Sequence, residues 1–248
     1  MSGIVYIVSA PSGSGKSTLT AELLRAVPRL QFSISYTTRA PRGSEQNGRE
    51  YRFTSREAFE GMIAAGQFLE YARVFGDYYG TARQCLDEAQ AAGNDLVLDI
   101  DVQGAAQVKE KIPGQAVSIF ILPPSRGELE ARLRRRSEGE KQVETPDRRR
   151  SDDERDHIIR QRLQAAAKEI ENYPAYDYIL VNDQLEQSID QLKAIVNAER
   201  LKRSGRPLLP ADQPIVERAQ NCLLPKVQQK VRQILDSFAV SAPSPCAG

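Results

Sequence analysis

The stretch Ser9–Thr18, SAPSGSGKST, constrains this chain more than any other. It follows the apolar run Gly3–Ser9. It precedes a segment with Leu19, Leu23, Leu24 and Val27 at helical spacing and Pro28 just past them. A glycine-rich loop between a buried strand and an amphipathic helix cradles phosphate, because glycines let backbone N–H groups approach the oxygens and the helix adds its positive end. The pattern G-x-x-x-x-G-K-[ST] is met with Ala10 in place of its first glycine. Pro11, Ser12, Gly13 and Ser14 follow, then Gly15, Lys16 and Ser17, with Thr18 next. Gly13 and Gly15 can take conformations closed to other residues. Lys16 would contact the β- and γ-phosphates of a nucleoside triphosphate, and Ser17 would put a hydroxyl on Mg2+. The loop predicts the bound group and leaves the reaction open.

Around the loop, short β-branched runs alternate with helical ones, which predicts βαβ units about a parallel sheet. Strands are expected at Gly3–Ser9, Leu30–Tyr36, Asp95–Asp101, Ala116–Leu122 and Asp177–Val181. Thr54 with Glu57, Ser125 with Glu128 and Asp183 with Glu186 read as capping boxes, the last opening a helix with Leu185, Ile189, Leu192 and Val196 inward. A further helix is expected from about Ala82 to Ala92. The densely charged run Glu138–Asp156 is excluded from the core. Beyond Ser204 a linker is expected, then an amphipathic helix over Ile215–Phe238 interrupted by Pro225.

A net charge of +1 gives no global field for nucleic acid, so anion binding must come from local clusters. Cys85, Cys222 and Cys246 are too scattered for a disulfide framework or a zinc site, and a reducing cytoplasm is expected. Apolar runs are too short to cross a bilayer, and no secretory signal is evident.

A second group of residues speaks to phosphate. Arg39 and Arg42 bracket a proline, and Tyr51 follows. Arginine forks match phosphate oxygens and a tyrosine adds a neutral donor, so the cluster reads as a second anion site or else as a solvated basic turn. Glu70 sits among apolar and aromatic residues, with Tyr79 and Thr81 flanking Gly80. A carboxylate there needs a partner: either the adjacent N1–H and N2–H2 donors of guanine or a neighbour such as Arg73. Asp99 and Asp101 fall at the carboxyl end of an expected buried strand, where open α/β sheets bind ligands; alternation puts both on one side. Helix capping is the other use for them.

SAPSGSGKST, SYTTRAPRGSEQNGREY, FLEYARVFGDYYGT, LDIDVQG, the pair RLRRR and RQRL, and YDYILVND occur in that order. In these blocks the chain resembles the guanylate kinases, over about residues 3–200. The resemblance implies an α/β fold: a P-loop core with a parallel sheet flanked by helices, an inserted mixed α/β GMP-binding region and a helical lid. The kinase domain would span 1–203, with core segments 1–31, 83–123 and 172–203, a GMP-binding region at 32–82, a lid at 124–171 and a charged insertion at 138–156. Residues 204–248 would be an extension of unassigned role.

The implied activity is Mg-dependent phosphoryl transfer from ATP to GMP. ATP and GMP are then the partners, with dGMP left open and neither nucleic acid nor membrane involved. Ser35 and Glu70 would read guanine with help from Thr81. Arg39, Arg42, Tyr51 and Tyr79 would hold the GMP phosphate. Asp99 would act near Mg2+ through water, and Asp101 would hold the nucleotide or orient an arginine. Arg132, Arg136 and Arg162 match the lid arginines that act with Lys16 on the transferring phosphate, and Asn182 falls where the family approaches adenine. The lid is longer than usual, and Arg148, Arg149 and Arg150 in the excess are expected to be solvated. His157, the only histidine, is given no catalytic role. Another P-loop kinase and a non-catalytic module of the same fold are the competing expectations. The intact Lys16 argues against the module, and the Ser35, Glu70 and Thr81 set argues against other acceptors.

Overall fold

The computed structural model describes residues 3–74, 76–143 and 151–239; Arg148, Arg149, Arg150 and Cys246 lie outside them. Two compact units result, one from residues up to Ser9 together with Thr20–Ile119, the other from Ala10–Leu19 together with Phe120 onward.

In the first unit, β1 (Val5–Ser9) pairs parallel with β7 (Asp95–Asp99), and β7 pairs parallel with β2 (Leu30–Phe32). β1 and the centre of β7 are buried, as strands covered by helices on both faces must be. With β8 (Ala116–Leu122) and β9 (Tyr178–Val181), the strand order of this sheet is β2-β7-β1-β8-β9. α1 (Lys16–Ala26) buries Leu19 and Leu23, with Val27 buried just beyond its end.

The expected strand Leu30–Tyr36 divides. Leu30–Phe32 stays in the parallel sheet, whereas Tyr36–Thr37 (β3) starts a second sheet of order β4-β3-β6-β5. Its other strands are β4 (Arg52–Phe53), β5 (Phe68–Val74) and β6 (Asp77–Ala82). This sheet is mixed, since β3 runs parallel to β4 and antiparallel to β6. α2 (Arg56–Ala64) packs Phe59 onto it, stacked on Phe68 and Tyr78 at 4.3 and 5.1 Å between ring centres. Ser55, rather than Thr54, caps α2 by accepting from Ala58 N. α3 (Arg83–Ala91) and α4 (Val102–Lys111) complete the unit.

In the second unit, α5 (Arg126–Val143) and α6 (Asp152–Ile170) pack through Leu129, Leu133, Ile159, Leu163 and Ala166. The Ser125 hydroxyl accepts from Glu128 N, half of the expected box. Among the described residues of the charged stretch, 138–143 lie in α5 and 152–156 in α6, and Arg155 is buried. Arg155 lies four residues before Ile159 on the inner face of α6 and donates to Ser137 O at 2.7 Å. α7 (Leu185–Ser204) starts after Gln184 with no side-chain cap, so the Asp183–Glu186 box is not formed. Leu192 and Val196 are buried, but Leu185, at the helix end, is exposed. Gly205 ends α7 in the left-handed conformation. α8 (Gln213–Gln220) packs on α7, and α9 (Leu224–Ala239) packs on α5, α6 and β9. Pro225 stands in the first turn of α9, where a missing N–H costs nothing, and does not interrupt a longer helix. Among the described residues, no helix is long and apolar enough to cross a membrane.

Candidate active site

The second unit holds the phosphate loop. Gly13 and Gly15 adopt φ of +93° and +90°, which expels side chains on backbone grounds, and their surroundings forbid one as well. A Cβ at residue 13 would lie 2.9 Å from Leu133 Cδ2 and 3.0 Å from Leu129 Cδ1, and one at residue 15 would collide with the Asn182 amide. Asn182 is 5% exposed and donates Nδ2 to Ser14 O at 2.8 Å. Its carbonyl accepts from Arg132 Nη2 at 3.0 Å, while Arg132 Nε donates to Glu128 at 3.0 Å. The Asn182 amide is thus engaged with the loop backbone. Lys16 is half-buried in the first turn of α1, and Ser17 and Thr18 are exposed beside it. Arg136 is exposed, Arg162 is half-buried, and His157 is exposed, 2.9 Å from Gln161 Nε2.

The first unit holds the other cluster. Arg39 is 8% exposed and nearly saturated. Nη1 and Nη2 each reach Glu45 at 3.0 Å, Nη1 also donates to Ala40 O at 2.7 Å, and Nε donates to Tyr79 OH at 3.2 Å. The guanidinium also lies over the Tyr51 ring, 5.4 Å from its centre. Glu45 accepts from Arg42 N at 2.7 Å, which closes the turn carrying both arginines. Burial opposes the Glu45 charge, but the Arg39 fork and the Arg42 amide outweigh it and hold the carboxyl below its usual range. Burial, helped by Asp99, pushes the Tyr51 hydroxyl up, so it remains an O–H donor. Tyr51 and Tyr79 meet edge-on at 5.8 Å. Ser35 is half-buried, and its carbonyl accepts from Arg52 N.

Glu70 owes its place to an irregularity. Phe68 pairs with Ala82 and Glu70 with Thr81, so β5 carries one extra residue there. The bulge breaks alternation, and Phe68, Leu69 and Glu70 are all buried. The Glu70 side chain meets α4 at Gly104, where a Cβ would overlap Oε2. α4 is fastened to β5 by Gln107, which bonds Tyr71 N and Tyr71 O at 3.2 and 2.7 Å, and by Lys111 Nζ on Leu69 O at 2.7 Å. Burial pushes the Glu70 carboxyl up to about 7; Asp101 adds to the rise, while Thr81 and Lys111 work against it. The Thr81 hydroxyl is itself buried beside the carboxylate.

Asp99 ends β7. Asp101 lies beyond the strand and caps α4, accepting from Gly104 N at 2.8 Å. Strand alternation therefore does not relate the two, because the strand has ended before Asp101. Sequence reasoning missed Glu45, Gly104, Gln107 and Lys111. Glu45 stands within the arginine-rich block, but a carboxylate is a poor candidate for an anion site until its role as a brace is visible. No group of three or more metal-binding side chains occurs among the described residues.

A parallel sheet whose first strand runs into a glycine-rich loop at a helix N-terminus defines a P-loop nucleotide-binding protein. A sequence profile described as guanylate kinase matches residues 2–199. A guanylate kinase of Koribacter versatilis is 58% identical over 238 residues, covering 96% of this chain and 97% of its own. That of Rhizobium meliloti is 46% identical over 205 residues, 83% of this chain and 87% of its own. The crystal structure of guanylate kinase from Anaplasma phagocytophilum superposes with a TM-score of 0.61 at 34% identity, covering 80% of this chain and 86% of that one. The chain belongs to the guanylate kinase family.

Proposed function

We propose that this protein transfers the γ-phosphoryl group of ATP to GMP, giving ADP and GDP. The observation that carries the acceptor assignment is Glu70, a buried carboxylate with the buried Thr81 as its cross-strand neighbour. Guanine presents two adjacent donors, N1–H and N2–H2, which an ionised carboxylate can accept together. Adenine has no donor at N1, so the Glu70 charge would be left buried and unpaired, which is strongly disfavoured.

The transfer needs little covalent work from the protein. It needs two polyanions positioned and their charge neutralised. Lys16 and the loop amides hold the donor phosphates, with Asn182 and Arg132 keeping the loop in shape. Arg42 and the remaining Nη2 N–H of Arg39, whose other donors serve Glu45, Ala40 and Tyr79, would hold the acceptor phosphate, with Tyr51 as a neutral donor. Ser35 assists at the base, Asp99 orders water, and Asp101 acts indirectly by capping the helix that carries Gly104. Arg136 and Arg162 supply further positive charge for the transferring group.

Ser17, with Asp99 acting through water, would hold the Mg2+ that accompanies ATP, and the ion would supply charge neutralisation at the donor phosphates. The exposed Ser17 hydroxyl in the first turn of α1 suits a cation that arrives with its triphosphate and keeps most of its water. A cytoplasmic setting accords with these substrates and with Cys85 and Cys222, which are buried free thiols.

An assay coupling ADP formation to a chromogenic readout, run with GMP, dGMP, AMP, CMP and UMP as acceptors, tests the proposal. GMP should far exceed AMP. Folded protein that yields no GDP from ATP and GMP overturns it.

A further inference from the structure

The segment after Gly205 takes no part in the reaction outlined above, yet it is built into the second unit. Ile179 N donates to Cys222 O at 2.7 Å, and Leu223 bridges antiparallel to Tyr178, so the turn between α8 and α9 lies along β9. α9 then reaches α5 and α6, with Val231 and Ile234 buried.

Near the C-terminal end of α9 two residues bear on α5. Ser237 Oγ accepts from Arg126 N at 3.0 Å, satisfying a backbone donor in the first turn of α5. The same hydroxyl donates to Ile234 O at 2.6 Å, so its orientation is set. Phe238 packs on the cluster that contains Leu129 and Leu133. Those leucines are the ones whose methyl groups crowd the missing side chain of Gly13. Between them along α5, Arg132 holds the Asn182 carbonyl, and Asn182 holds Ser14 O. One helix is therefore gripped by α9 and in turn supports the phosphate loop at Gly13 and, through Asn182, at Ser14.

We infer that Ser237 and Phe238 are positioning residues for the donor site, holding α5 in the register that keeps the phosphate loop in its binding conformation. The loop acts through backbone N–H groups aimed at phosphate, and glycine at 13 brings no side chain to stabilise that shape. Support has to come from outside the loop, and Leu129 and Leu133 provide it only while α5 stays in place. A loop that must be ordered on binding has lower affinity than one already ordered. The inference rests on the loop being the ATP site.

Phe238→Ala, Ser237→Ala and the conservative Phe238→Leu, each in the full chain, test it. Equilibrium binding of a fluorescent ATP analogue with magnesium is measured beside GMP binding, and circular dichroism selects folded proteins. Phe238→Ala should weaken the ATP analogue by about 5-fold and Ser237→Ala by about 2-fold, within the usual range for coupling through packed contacts. GMP affinity should be unchanged, and Phe238→Leu should recover most of the loss. Unchanged analogue affinity in the folded alanine variants overturns the inference, as does an equal loss for GMP that leucine does not restore. If Phe238→Ala fails to fold, Ser237→Ala decides alone, since it removes a hydrogen bond and little packing. Wild-type protein that does not bind the analogue overturns the loop's assignment, and the inference with it.

Discussion

The carboxylate of Glu70 lies against Gly104, at the point where any larger residue at 104 would overlap Oε2. Helix α4 gains nothing locally from glycine, which costs a helix interior about 1 kcal/mol relative to alanine. The glycine is there for the neighbour. Gly104→Ala should therefore improve the helix and displace the carboxylate. We expect kcat/KM for GMP to fall by about 10- to 100-fold, the scale of a misplacement near 1 Å. The affinity for an ATP analogue should stay unchanged. Steady-state kinetics with each nucleotide varied in turn checks this, and an unaltered KM for GMP would mean the contact is dispensable.

Glu70 also sets a pH dependence. Its carboxyl is raised from 4.5 to about 7 by burial, with Asp101 adding to the rise and Thr81 and Lys111 opposing it. Between those values the folded protein keeps a proton that the unfolded chain has released. The stability from this difference is present below about 4.5 and is lost as pH rises to about 7. The proposed reading of guanine by Glu70 uses the ionised form, so GMP binding below pH 7 should release a proton. From pH 8 to pH 6 the KM for GMP should rise by about 10-fold from this group alone, one pKa unit below its midpoint. Glu70→Gln should lose GMP preference and flatten the profile; calorimetry in buffers of different ionisation heat counts the proton.

Glu45→Gln should raise the KM for GMP. The substitution removes a charge-assisted fork from Arg39 and weakens the Arg42 turn, interactions worth about 1.5–3 kcal/mol each to charged groups. A rise of about 10-fold with kcat nearly kept would identify Glu45 as a brace for the phosphate arginines. A lower KM would instead make Glu45 a competitor of the phosphate.

Asn182→Ala removes the hydrogen bond to Ser14 O and opens space beside Gly15. The KM for ATP should rise by about 5- to 10-fold, the worth of one buried hydrogen bond left unmade. GMP affinity measured without ATP should not move.

Much of the donor loop was legible in the sequence. The features that mark Gly13, Gly15, Lys16 and Ser17 are backbone freedom, charge and adjacency to a helix, which are local properties. The buried strands at Val5–Ser9 and Ala116–Leu122 were legible for the same reason, since a continuous apolar run needs cover whatever supplies it. Arg39, Arg42, Tyr51 and Glu70 were recognisable as chemistry-bearing residues, but the groups that pack around them were not. The fork of Arg39 turns out to be filled by Glu45, and Asp101 caps a helix instead of extending a strand.

What the sequence determined by itself is the set of residues that can do chemistry: a phosphate-loop pattern, a second cationic cluster and a carboxylate set among apolar residues. Tertiary structure alone decided the bulge that buries Glu70, the glycine that admits it, the charged stretch that buries Arg155, and the docking of the C-terminal helix on α5. Each depends on atoms brought together from distant parts of the chain. Steric exclusion at Gly104 or Gly13 is a property of the neighbour's position, and no local propensity records where that neighbour will be.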